Sequence, residues 1–159
     1  MTSADRNPLY LDDLRVGQTF GGNETFALDT AAIKAYARQF DPQPFHLDET
    51  AAEKTLFGGL AASGWHTASI TMKLMATDGP ALAAGIVGGG LDELRWPKPV
   101  RPGDRLHIKC EILEITPSKS RPEQGRIKMR TTTFNQNGEP VQIIVANLIV
   151  PRRKQTAMG

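Results

Sequence analysis

Residues 63–76 read SGWHTASITMKLMA, with Lys73 as the only charge. A helix of about four turns that is small or apolar on nearly every face has to be buried on most sides, and Asp78-Gly79-Pro80 supplies its stop. The chain around it supplies a cover. Downstream, Leu106, Ile108, Cys110 and Ile112 alternate with Arg105, His107, Lys109 and Glu111, the period of a half-buried strand. The stretch RIKMRTTTF begins with the same alternation, and Asn137-Gly138 gives a two-residue hairpin signal before VQIIVANLIV. Upstream, residues 18–28 suit a strand broken at Gly21-Gly22. One buried helix followed by a run of antiparallel strands predicts an α+β domain in which a curved sheet wraps the helix.

The chain has 159 residues, 40% of them hydrophobic and 23% charged, which fits one soluble core. We expect an N-terminal extension over 1–15, the domain over 16–151 and a flexible basic tail over 152–159. Nineteen Lys and Arg against seventeen Asp and Glu leave a net charge of +2, too little to imply nucleic acid as a partner. A single cysteine, Cys110, excludes an internal disulfide, and three histidines show no metal-ligand spacing. The start MTSADRNPLYLDDL lacks a basic region followed by an apolar one, and no apolar run reaches the roughly 18 residues that span a bilayer. A cytoplasmic protein without membrane association is therefore expected.

Before the buried helix, AAIKAYARQF carries Ile33, Ala37 and Phe40 at helical spacing behind Asp29 or Thr30 as cap. Residues 40–49 then read FDPQPFHLDE. Pro42 ends the helix and pushes Asp41 out of helical conformation, while Pro44 keeps Asp41 and His46 from meeting across a helical turn. Fully extended, the segment would separate them by about 15 Å, so the loop must fold back for the two to cooperate. Taken alone, it reads either as a stiff connection or as an acid/base pair on a rigid loop. A short helix capped by Asp48 follows, to about Thr55.

Gly64 falls at the start of the buried helix, where the first amides lack internal partners and the dipole favours negative charge. A glycine there lets a ligand carbonyl approach the backbone, as an oxyanion site requires. The plainer reading makes Ser63 a cap and Gly64 a packing residue. An acid/base pair together with such a helix start suits enolate chemistry next to a carbonyl.

These residues resemble a family. FDPQPFHLDE, FGGLAASGW and ELRWPKPVRPGD together are similar to the MaoC-like dehydratases, which include (R)-specific 2-enoyl-CoA hydratases. The family loop is Asp-x-Asn-Pro-x-His-x-Asp, matched here at Asp41, Pro44, His46 and Asp48, with Gln43 in place of Asn. The resemblance implies a hot-dog fold, a homodimer, catalytic roles for Asp41 and His46, and the Gly64 amide as oxyanion donor. It implies reversible hydration of a 2-enoyl-CoA, with CoA as carrier and no metal or redox cofactor. Gln43, Pro44, Phe45, Ser63 and Trp65 are expected at the substrate, while Arg95, Lys98 and Arg101 are the cations available to its phosphates. His66 either points at the pocket or packs on Trp65, His107 faces outward, and Asp48 is read as a cap. A thioesterase on the same fold and a non-catalytic thioester-binding module are the competing readings.

Overall fold

The computed structural model describes residues 6–154. Its strands are β1 (Thr19–Gly21), β2 (Phe26–Ala27), β3 (Val87–Arg95), β4 (Arg105–Pro117), β5 (Gln124–Phe134) and β6 (Pro140–Pro151). The helices are α1 (Thr30–Phe40), α2 (Pro44–Leu47), α3 (Glu49–Glu53) and α4 (Gly64–Asp78). All strand pairs are antiparallel, in the order β1-β4-β5-β6-β3, with β2 also on β4.

Alternation decides which face of the sheet is wet. Leu106, Ile108, Cys110 and Ile112 of β4 are all buried, as are Ile127 and Met129 of β5. Against them lie Ile70, Leu74 and Met75 of α4 in one continuous core, so the long helix sits in the concavity of the sheet. The inward alternation of β5 continues past Met129 through Thr131 and Thr133. These threonines are tolerated because they are partnered: Thr133 Oγ1 lies 2.6 Å from Thr71 Oγ1 on α4, and Thr131 bonds Cys110 Sγ.

α4 is not covered all round. Trp65, Ser69, Met72 and Lys73 form an exposed ridge, so the expectation of burial holds for the inner face alone. Phe40 likewise departs from the expected stripe of α1, where Ile33 and Ala37 are buried. It is exposed and leans on Tyr36, with ring centroids 5.1 Å apart. The expected caps form as read: Asp29 accepts from the Ala32 amide and Asp48 from the Ala51 amide.

The hairpin between β5 and β6 is longer than Asn137-Gly138 predicts. Asn135 bonds Glu139 through the backbone, and its buried side-chain oxygen accepts from the amides of Asn137 and Glu139. Gly138 occupies a left-handed position at φ 72°, but in a five-residue connection whose geometry the Asn135 side chain sets.

Neither proposed boundary coincides with a break in packing. Leu11 and Leu14 belong to the core, and Leu9 bridges Leu82. At the other end Arg152 and Arg153 pair with Asp12 and Asp13, while residues 155–159 of the expected tail lie outside the described residues.

The far end of α4 is held by one buried carboxylate. Asp78 accepts from the Asn23 amide at 2.9 Å, the Glu24 amide at 3.0 Å and Asn23 Nδ2 at 3.1 Å, fixing the turn between β1 and β2. Asp78→Ala leaves these three donors without their acceptor. We expect it to lower stability by about 2–3 kcal/mol, read as a lower urea midpoint at unchanged slope.

Candidate active site

Asp41 is freed from α1 as its sequence predicts. It caps the helix, its amide still bonding Ala37 O, while its own backbone leaves the helical region ahead of Pro42, at φ -152° and ψ 69°. Pro44 acts differently from expectation. It does not keep His46 out of a helix but occupies the first turn of α2, where its missing N–H costs nothing and its fixed φ suits a helix start. One turn of helix then folds the loop back, and Asp41 Oδ2 comes within 3.3 Å of His46 Nε2.

Both groups are largely withdrawn from water, with side-chain exposures of 15% for Asp41 and 5% for His46. His46 Nδ1 lies 2.6 Å from the Ala61 carbonyl. A carbonyl can only accept, so Nδ1 carries the hydrogen and, in the neutral ring, Nε2 turns a lone pair towards Asp41. Partial burial pushes the Asp41 carboxyl upward. Hydrogen bonds from Gln43 and Ser63, and the charge of His46 when its ring is protonated, outweigh this and hold it below its usual value. Asp41 is therefore a carboxylate at neutral pH.

Gln43 takes the place of the expected Asn without losing contact. It stands just before α2, with its amide bonded to the Asp41 carbonyl, and its Nε2 donates to Asp41 Oδ1.

Ser63 is fully buried and caps α4, accepting from the Trp65 amide at 3.2 Å. Next to it, the Gly64 amide donates to no group among the described residues. Gly64 is also a glycine for a steric reason the sequence did not show. A Cβ there would lie 2.6–2.8 Å from three atoms of the Trp96 indole. Trp96 is in turn fixed by a hydrogen bond from Nε1 to Gln142 Oε1 at 2.8 Å, and Gln142 Nε2 donates to Thr71 Oγ1 at 2.9 Å. Its ring meets Trp65 edge-on, with centroids 5.5 Å apart.

These groups face one cavity of about 470 Å³. Asp41, Gln43, Phe45, His46, Gly64, Trp65 and Lys98 of the expected residues line it, together with Phe57, Ala62, Thr67, Trp96, Pro99 and Val100. Four expectations need correction. Ser63 is fully buried as the cap of α4 and does not line the cavity. Pro44 is exposed and outside the lining. Arg95 pairs with Glu93 on the outer side of β3, also away from the cavity, because its place in the strand alternation turns it outward. Arg101 is committed elsewhere, donating to the carbonyls of Phe57, Gly59 and Leu60. Lys98 reaches the cavity but is paired with Glu139.

His66 follows neither expected course. It is buried, stacks on Tyr36 with centroids 4.4 Å apart and rings 3° from parallel, and burial pushes it below its ordinary pKa. His107 stacks on Phe134. Among the described residues no group of His, Cys, Asp and Glu is arranged to hold a metal, and no helix is long and apolar enough to cross a membrane.

A curved antiparallel sheet closed on one long helix, with an acid, an imidazole and a helix start on a common cavity, defines a hot-dog protein. A family model described as "MaoC like domain" matches residues 12–134, and the chain belongs to this family of MaoC-like dehydratases. Among solved structures it is similar to a MaoC-like dehydratase from Rhodospirillum rubrum, at 55% identity and TM-score 0.89, covering 92% of this chain and 99% of that one. It is similar to the R-hydratase PhaJ1 from Pseudomonas aeruginosa at 26% identity and TM-score 0.71, covering 96% and 94%. A 3-hydroxybutyryl-CoA dehydratase of Methylorubrum extorquens is 32% identical over 114 residues, 71% of this chain and 69% of that protein.

Proposed function

We propose that the protein is a hydratase/dehydratase that reversibly adds water at the 2,3 position of an acyl-CoA thioester, and that it works as a homodimer. The observation that carries this reading is the pairing of Asp41 Oδ2 with His46 Nε2 at 3.3 Å on the cavity that Gly64, at the start of α4, also lines. Both atoms are acceptors, so one water can donate an O–H to each and keep a lone pair free for attack. The likenesses to an R-hydratase and to a 3-hydroxybutyryl-CoA dehydratase support the same reading.

In the forward direction the water oxygen bonds to C3 of the 2-enoyl thioester while one of its protons passes to the Asp41–His46 pair. The C2–C3 π electrons shift towards the thioester oxygen, and the Gly64 amide and the positive end of α4 stabilise the enolate that forms. C2 then takes the proton back from the pair as the enolate collapses. The sum is one water added and nothing oxidised or reduced, and dehydration is the same path reversed.

Spectrophotometric hydration of enoyl-CoAs of graded length and branching tests the proposal, with product stereochemistry determined. Loss of the enoyl-thioester absorbance with appearance of a 3-hydroxyacyl-CoA is expected. Release of free thiol without hydration would instead identify a thioesterase, and a thermal shift by CoA esters without any turnover a binding module.

A further inference from the structure

Two hollows of the surface share one pair of rings. Phe45 and Phe57 wall the cavity that holds Asp41 and His46, and the same two rings, with Lys54, Thr55 and Leu56, enclose a second depression of about 630 Å³. Their centroids are 4.9 Å apart, which leaves no space for a methylene chain between them. Both rings also lie against the imidazole: Phe45 meets His46 edge-on at 4.5 Å, and Phe57 stands 6.0 Å from it.

The partition is anchored. Arg101 gathers the carbonyls of Phe57, Gly59 and Leu60 on one guanidinium, and its own amide is held by Asp104 at 2.8 Å. The backbone of Phe57 is thus tied to the segment leading into β4. Beyond the rings Leu56 is fully exposed, at 107% of its reference area, an apolar side chain standing uncovered at the edge of the second hollow.

We propose that Phe45 and Phe57 set the length of acyl chain the site accepts, and that removing the Phe57 ring joins the site to the hollow beside Leu56. The inference rests on the acyl-thioester reading above. With C3 of the acyl group at the Asp41–His46 pair, the rest of the tail starts beside the imidazole, where these two rings stand. Lys98, Pro99 and Val100 line the same cavity from the segment between β3 and β4.

Saturated acyl-CoAs from butyryl to decanoyl bind without being hydrated, so calorimetric titration against the parent, Phe57→Ala, Phe57→Leu and Phe45→Leu reads chain length alone. In the parent, affinity should rise only until the tail meets the rings and then level or fall. In Phe57→Ala it should keep rising, by about fourfold for each further buried methylene, and Phe57→Leu should move the break by less. The same break in parent and variants overturns the proposal. So does equal weakening at every length, which would place the rings on the carrier side. If Phe57→Ala does not fold, the profiles of the two leucine variants decide. Hydration rates on the same proteins keep the two readings apart: a parent that binds the series but hydrates no enoyl-CoA refutes the hydratase reading, while the position of the break still answers for the rings.

Discussion

Asp41→Asn and His46→Ala proteins are expected to stay folded and to hydrate crotonyl-CoA at least about 100-fold more slowly than the parent. The size follows from what each change removes. Asn at position 41 keeps the shape but loses the charge and turns one acceptor into a donor, so a water can no longer be held by two acceptors. Ala at position 46 deletes Nε2 outright and leaves the Ala61 carbonyl without its 2.6 Å partner. Melting curves establish that each variant is folded before its rate is compared. Rates equal to the parent in both folded variants would remove Asp41 and His46 from the chemistry.

Gly64→Ala should be nearly as damaging although it removes no polar group. The new methyl would lie 2.6–2.8 Å from Cε2, Cδ2 and Cζ2 of Trp96, distances that force either the helix start or the indole to move. The indole is held against yielding, since Nε1 is bonded to Gln142 and the ring packs at 81° to that of Trp65. Overpacking of this kind typically costs about 1–3 kcal/mol in stability. The displaced amide should lower kcat by about 10²–10³ if it serves as the oxyanion donor. A double-mutant cycle with Trp96→Ala separates the two effects, because removing the indole relieves the clash. The pair should be more stable than additivity predicts by about 1 kcal/mol or more. Strict additivity would mean that Trp96 is not what requires a glycine.

The parts of the fold legible in the sequence are those fixed by local period and local caps. Leu106 to Ile112 alternate because one face of β4 is dry, and the run from Ser63 to Ala76, with Lys73 its only charge, lays its apolar inner side against that face. Asp29 and Asp48 announce their helices by chemistry that acts within three residues. The candidate site was legible for the same reason, its acid and imidazole being five residues apart on one loop. What escaped depends on contacts between distant segments. Nothing near Trp96 says that it will lie on Gly64, thirty-two residues away. Nothing near Tyr36 says that it will stack on His66. Arg101 reads as a cation available to phosphates because the three carbonyls it gathers are about forty residues upstream. Pro44 was misread locally: the rule that proline breaks a helix holds for interiors, and position 44 is a first turn.

The contact between His46 Nδ1 and the Ala61 carbonyl also governs how the protein meets reactive small molecules. With one ring nitrogen occupied by a main-chain acceptor, the imidazole has a single nucleophilic atom, and it faces the cavity beside a carboxylate. An electrophile of acyl-thioester shape that enters would be captured at Nε2 alone. Covalent labelling of this protein would therefore carry its own regiochemistry, written by a backbone carbonyl that never touches the ligand.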